Sequence, residues 1–156
     1  MLRYTLTDDV PFLFIESVLS NPHAEPIEVE LRDVIRADKS FESGHDDALK
    51  MFWVYDEWFR QAYGVVIEGH GLEQIKGGRG IQLGISVDGN STVTLAPGES
   101  YSLKRKLFPG TDLSDVKATA ARLAGKEIVN AQLEVVDPGG GVANAKVSLR
   151  SEGRDH

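Results

Sequence analysis

Strict alternation of apolar and polar side chains in short segments is the feature that most limits the fold of this chain. In the segment IEVELRDVI, Ile27, Val29 and Leu31 face one way, with Asp33 continuing the series, while charged side chains face the other. This period of two is typical of a strand with one buried face. Prolines before the segment block a helix and favour a turn, so residues 12–35 are predicted to form a hairpin.

Further short extended segments, separated by turn sequences, run through the rest of the chain. Strands are predicted at about 81–87, 91–95 and 99–108, with DGN and APGE as the turns between them. Together with the other segments they make about nine strands, and the turn signals have the spacing of a two-sheet fold. The sequence therefore predicts a mainly all-β protein, an antiparallel, immunoglobulin-like β-sandwich.

One short helix is predicted near residues 113–124. Asp112 or Ser114 offers an N-cap, an apolar stripe follows at helical spacing, and a glycine stops the helix. Two further strands are predicted after it, around a PGGG turn. We expect residues 1–125 to form the sandwich. Residues 126–156 are expected to form a C-terminal hairpin that either completes this sandwich or begins a truncated second one.

Aromatic side chains concentrate in MFWVYDEWFRQAY, residues 51–63, which holds both tryptophans of the chain. The segment fits a helix or a strand, and both interpretations bury most of the rings, so a role in the core is favoured. Its interleaved charged side chains suit a surface better, so an alternative is a platform that stacks on sugar rings and hydrogen-bonds their hydroxyls. The candidate ligand-binding residues are Trp53, Tyr55, Asp56, Glu57, Trp58, Arg60 and Tyr63.

No complete catalytic or cofactor motif accompanies this segment. The absence of cysteine excludes thiolate metal sites and cysteine nucleophiles, and the glycine-rich segments lack the residues of phosphate-binding loops. No cofactor, metal site or catalytic residue is therefore predicted. A metal-dependent hydrolase built from His45, Asp46, Asp47 and His70 is a further alternative, although the histidines are scattered. The first three of these lie in a polar segment, residues 36–50, that is predicted to be an unusually long loop.

The charge of the chain bears on its partners. A formal net charge of −7 argues against nucleic-acid binding, which needs a concentrated cationic surface. The one tight basic run, KRK at residues 104–106, is predicted to lie on a solvated or edge strand. No apolar run approaches the roughly 20 residues that span a bilayer. We expect a cytoplasmic protein, or a secreted or periplasmic one if the chain is part of a longer precursor.

Two parts of the chain resemble known families. The segment NAQLEVVDPGGGVANAKVSL resembles the first hairpin of carboxypeptidase-regulatory-like sandwiches. The residues at the positions of that pattern are Val135 or Val136, Asp137, Gly141, Ala145 and Val147. The segments FLFIESVLSNPHAEPIEVELRDVI, FWVYDEWFRQAYGVV and VTLAPGESYSLKRKLFPGTDL are similar to the β-sandwich region that precedes the catalytic domain of some bacterial PHP-type metal-dependent phosphoesterases.

This second resemblance implies an accessory module, because the histidine and aspartate motifs of those catalytic domains have no counterpart here. The sequence therefore predicts a non-catalytic accessory or interaction module of a larger bacterial protein, which could itself be hydrolytic. Its expected partner is a neighbouring domain or protein. A glycan, bound by the aromatic segment, is the alternative partner.

Overall fold

The computed structural model describes residues 1–35, 41–75 and 81–127, which form eleven strands and one helix. The strands are β1 (Leu2–Thr5), β2 (Leu13–Ser20), β3 (Ile27–Glu30), β4 (Arg32–Ile35), β5 (Glu42–Asp46), β6 (Met51–Asp56), β7 (Gln61–Ile67), β8 (Gly71–Ile75), β9 (Ile81–Ser86), β10 (Thr92–Leu95) and β11 (Ser100–Gly110). The helix, α1, spans Leu113–Leu123. The prediction of an antiparallel β-sandwich with one short helix is confirmed.

The sandwich has one wide sheet and a divided second layer. The wide sheet has six strands in the order β1-β2-β11-β7-β6-β5, and the second layer consists of the two-stranded sheet β10-β3 and the three-stranded sheet β4-β9-β8. Leu31, between β3 and β4, joins the two parts of that layer. Its N–H donates to the carbonyl of Ser91 at 2.7 Å, and its carbonyl accepts from the N–H of Ile85 at 3.1 Å.

Apolar side chains are buried on both faces of the wide sheet. Phe52 and Val65 on its inner face pack against Leu83 and Ile85 of the second layer, and all four are buried. The outer face is covered by α1. The wide sheet is thus the middle layer of the described structure, and its strand β6, covered on both faces, has no exposed side chain.

The helix begins and ends as its sequence predicts. The Asp112 side chain accepts a hydrogen bond from the N–H of Asp115 at 2.8 Å, and Gly125 follows the helix with a positive φ of 68°. Val116 and Ala120 are buried against the wide sheet. The N-cap, the apolar stripe and the glycine stop each follow from a local rule.

The close approach of α1 to the wide sheet depends on Gly64 in β7. A Cβ at that position would lie 2.3 Å from Cε2 of Phe108 and 2.7 Å from Cγ1 of Val116. No side chain larger than hydrogen fits there without displacing the ring or the helix.

The predicted hairpin over residues 12–35 is wrong. β2 pairs with β1 and β11 in the wide sheet, whereas β3 pairs with β10 in the second layer, so the chain crosses between layers. The buried side chain of Asn21 holds this crossing, since its Nδ2 donates to the carbonyls of Glu25 and Leu95, each at 2.9 Å. The turn prediction was sound, but the turn redirects the chain to the other sheet.

The predicted loop over residues 36–50 contains a strand, which accounts in part for eleven strands where about nine were expected. β5 lies at the edge of the wide sheet and pairs with β6, where Gly44 is opposite Trp53. A Cβ at Gly44 would lie 2.7 Å from the indole ring, so the small residue leaves room for it. An edge strand keeps one side in solvent, and its polar sequence therefore resembled a loop.

The basic run at residues 104–106 was predicted to lie on a solvated or edge strand; the edge position is wrong, although Lys104 is exposed to solvent. The run belongs to β11, which lies between β2 and β7 at the centre of the wide sheet. Glu16 is opposite Lys104, and the ammonium of Lys106 lies 2.8 Å from the carboxylate of Glu68. Acidic neighbours of the two lysines and an ion pair between Arg105 and Asp33 allow three cations in a central strand.

The predicted C-terminal hairpin, residues 126–156, lies outside the described residues apart from its first two positions, and it stays a prediction. Within the described ranges, no helix is long and apolar enough to cross a membrane.

Candidate functional site

The aromatic segment is a hairpin, so its structure is strand, turn and strand. β6 and β7 pair in register from Met51 opposite Val66 to Asp56 opposite Gln61. Side chains alternate along β6, and Phe52 belongs to the core between the sheets, whereas Met51 packs beneath α1. Most of the apolar part of the segment is therefore core, as the favoured interpretation expects.

The turn at residues 57–60, which we call the aromatic turn, exposes two rings. Asp56 is fully buried, and its Oδ1 accepts hydrogen bonds from the N–H groups of Trp58 at 2.9 Å and Phe59 at 3.1 Å. Arg60 closes the turn with a φ of 49°, in the left-handed region. Trp58 is 89% exposed and Phe59 is 73% exposed. The backbone of the turn is thus fixed from inside, while its two rings point into solvent.

The seven predicted ligand-binding residues fall into separate places. Trp53 and Tyr55 are half-buried and pack on the cluster beneath α1. Tyr63 lies on the opposite face of the sheet, where its ring stacks on that of Phe41 with centroids 6.2 Å apart. The residues that remain together at the surface are Glu57, Trp58 and Arg60, and Asp56 supports them from inside.

Phe59 is a member of the aromatic turn that is absent from the candidate ligand-binding residues predicted from the sequence. The signal that could have found it is an aspartate followed by three residues between two strands, since such an aspartate commonly accepts from the backbone N–H groups that follow it. Under that rule the two rings after Asp56 lie in a turn rather than in the core.

A second candidate site is a cavity of about 380 Å³ between the wide sheet and β4, which we call the Arg105 cleft. Ile15, Leu107 and Leu83 line its apolar walls. Leu2 and Tyr4 of β1, both more than half exposed, lie at its rim. Because all four residues of β1 are exposed, the second layer leaves this side of the wide sheet open.

Three polar side chains meet in the Arg105 cleft. The guanidinium of Arg105 is nine-tenths buried, and its Nε lies 2.7 Å from Oδ2 of Asp33. Its Nη1 donates to Oγ of Ser17 at 2.7 Å. The Nε–Asp33 contact is close but too poorly aligned for a hydrogen bond, so Nε is buried beside a charge without an aligned acceptor. Asp33 in turn accepts from the N–H of Val34 at 2.8 Å.

Sequence reasoning missed Arg105 because it treated the KRK run as one charged group. The alternation of β11 separates the run, since Leu103, Arg105 and Leu107 share the inner face, whereas the two lysines face outward. Asp33 was predicted to face inward, and this orientation is confirmed by its ion pair with Arg105. An inward acid and an inward base on different strands are the signal that could have found the pair.

A buried histidine near the turn between β7 and β8 has structural partners. Nδ1 of His70 contacts the carbonyl of Glu68, and Nε2 lies 2.7 Å from the hydroxyl of Tyr101. Because a carbonyl only accepts, Nδ1 donates to Glu68, and Nε2 shares a second hydrogen bond with the Tyr101 hydroxyl. Burial, together with the charge of Asp88, raises the pKa of Tyr101. This hydrogen-bonded pair ties the turn to β11.

The residues of the alternative metal site are not brought together. His70 is engaged by Tyr101, whereas Nε2 of His45 lies 3.7 Å from Oδ1 of Asp47. Burial acts to raise the pKa of Asp46, but hydrogen bonds from Lys117 and backbone N–H groups outweigh it and lower the pKa overall. Among residues 1–35, 41–75 and 81–127, no group of three or more histidine, aspartate or glutamate side chains could hold a metal ion.

Comparisons with known proteins bear on the fold. No protein-family model matches the chain, and no curated protein matches it. A solved structure described as a polysaccharide lyase is similar to 78% of this chain, with a TM-score of 0.52 and 16% sequence identity. The chain spans only 21% of that protein's length. At this identity the likeness concerns the fold of the sandwich.

Proposed function

We propose that this chain is a non-catalytic accessory β-sandwich of a larger protein and that it contacts a neighbouring domain or protein through the aromatic turn. The observation that carries the proposal is the exposure of Trp58 and Phe59 on a turn fixed by Asp56. A fixed turn loses little conformational entropy when a partner covers it, so exposed rings there are suited to an interface.

The size of the two rings supports this role. Aromatic side chains bury roughly 150–250 Å² each when a partner covers them. At about 25 cal/mol per Å², each ring would contribute several kcal/mol of gross burial energy. Exposed aromatic residues of this kind commonly dominate the affinity of an interface. Few other described side chains of this chain combine such area with such exposure.

The comparison supports an accessory role at the level of architecture. The similar region is a minor part of the polysaccharide lyase, so a sandwich of this kind occurs there within a longer chain. The sequence also resembles the region that precedes PHP-type catalytic domains. We therefore propose a catalytic domain of that type as the first neighbouring domain to test.

Hydroxyl-radical footprinting tests the proposed contact, because it measures the exposure of individual side chains. We expect rapid oxidation of Trp58 and Phe59 in the isolated chain and strong protection in the longer natural protein or with its partner. Trp53, half-buried beneath α1, is the internal control, and its oxidation is expected to be equal in both. Equal oxidation of Trp58 in both samples would refute a contact through the aromatic turn.

A second candidate function is carbohydrate binding by the same turn. It is favoured by one observation: the turn that exposes the indole of Trp58 also exposes the charged residues Glu57 and Arg60. An indole face stacks on the apolar face of a sugar, and charged groups beside it hydrogen-bond hydroxyls. Because the similar solved structure is described as a polysaccharide lyase, polysaccharides are included in the test.

Fluorescence titration separates the two candidates. Trp53→Phe leaves Trp58 as the sole tryptophan, since the chain has two. Glycan binding predicts a saturable change in its emission with at least one member of a polysaccharide panel, and loss of that change in Trp58→Ala. If the emission of Trp58 stays constant with every polysaccharide of the panel, carbohydrate binding is refuted. Contact with a protein is then the role that remains for the aromatic turn.

A further inference from the structure

We propose that the Arg105 cleft is a binding site for a small, largely apolar molecule that carries an uncharged hydroxyl group. Its volume of about 380 Å³ lies within the range of small-molecule sites, roughly 300–1,000 Å³. The site uses none of the residues of the aromatic turn, so the inference does not depend on the proposed function.

The walls of the cleft select an apolar body. Ile15 and Leu107 come from the wide sheet, and Leu83 comes from the second layer. Leu2 and Val34, at the rim, are 54% and 46% exposed, so apolar surface faces water at the mouth. An alkyl group that enters the cleft removes this surface from water, which is the main favourable term in such binding.

The polar side chains at the floor of the cleft favour a ligand that carries a hydroxyl group. Arg105 uses Nε towards Asp33 and Nη1 towards Ser17, and neither contact uses Nη2. Asp33 is partly exposed, and a carboxylate oxygen has more than one lone pair. A hydroxyl group can therefore accept from Nη2 of Arg105 and donate to Asp33.

The charge of the floor disfavours an anionic ligand. Arg105 and Asp33 carry opposite charges 2.7 Å apart, so the pair is close to neutral. A carboxylate would meet the negative Asp33 as soon as it approached Arg105, whereas a hydroxyl meets one donor and one acceptor. We therefore expect an alcohol to bind more tightly than the carboxylate of the same chain length.

The test is a titration of the isotope-labelled chain with 1-octanol and with octanoate, followed by backbone amide NMR. We expect 1-octanol to shift amides of β1, β4 and β11, and octanoate to bind about tenfold or more weakly. Val34→Trp fills the mouth of the cleft at a partly exposed position and is expected to abolish both shifts. Trp58→Ala, in the aromatic turn, is expected to leave them unchanged.

Asp33→Asn makes the test specific to the charge pair. Asparagine keeps an oxygen that accepts from the N–H of Val34, but it leaves the charge of Arg105 unpaired. We expect octanoate to bind Asp33→Asn about tenfold or more tightly than it binds the unaltered chain, which reverses the preference. Octanoate equal to octanol in the unaltered chain, shifts that survive Val34→Trp, or no shift at the cleft would each overturn the proposal.

Discussion

The aromatic turn depends on one buried oxygen, which makes Asp56 the most informative position to alter. Its Oδ1 accepts from two backbone N–H groups, those of Trp58 and Phe59. Hydrogen bonds to a charged acceptor contribute about 1.5–3 kcal/mol each. Because the two share one oxygen they do not add fully, so Asp56→Ala is expected to lower the free energy of unfolding by about 3 kcal/mol.

The matched control is Asp56→Asn, which keeps an oxygen acceptor of the same reach. We expect it to cost less than about 1 kcal/mol, since the backbone hydrogen bonds persist without the charge. For a chain of this size about 3 kcal/mol corresponds to roughly 6–12 °C in the thermal midpoint, which calorimetry resolves. Faster amide exchange at Trp58 should accompany it. If Asp56→Asn were as destabilising as Asp56→Ala, the claim that the acceptor oxygen of Asp56 stabilises the turn would be refuted.

Three further changes test packing, turn geometry and electrostatics. Gly64→Ala is expected to cost about 1–3 kcal/mol in urea unfolding, because its Cβ would lie 2.3 Å from the Phe108 ring; an equal cost in a Phe108→Leu background would contradict this. Arg60→Gly should gain up to about 1 kcal/mol by relieving a positive φ, whereas Arg60→Ala should not. The lowered pKa of Asp46 adds stability above the unfolded carboxyl pKa, which is lost as pH falls through the folded pKa. Lys117→Gln should therefore lower the free energy of unfolding at neutral pH by up to about 1 kcal/mol, and the loss should disappear as pH falls through the folded pKa of Asp46.

The parts of the fold that local rules govern could be predicted from the sequence. The alternation from Ile27 to Asp33 gave the correct inward face, and the cap at Asp112 gave the correct start of the helix. Both signals are complete within one turn or one strand. They require no knowledge of which distant segment lies alongside.

The errors concern pairings between distant segments. β2 was assigned to β3, the next strand in the sequence, whereas one of its two partners, β11, begins 80 positions after its end, at Ser100 opposite Ser20. Nothing local to either strand specifies that register. Alternation along β11 marks Arg105 as an inward residue, but only the pairing of distant strands brings it beside Asp33 and forms the Arg105 cleft.

The chain position of β11 also sets the order in which the protein can fold during synthesis. β11 is the strand that joins the β1-β2 ribbon to the β5-β6-β7 meander, and it is the last strand among the described residues. An isolated two-stranded ribbon is marginally stable in water. The first 20 residues must therefore wait on the ribosome, with their apolar side chains uncovered, until residue 110 has emerged. At about 5–20 residues per second this delay lasts several seconds, during which the apolar side chains of β2 stay exposed to other unfolded chains.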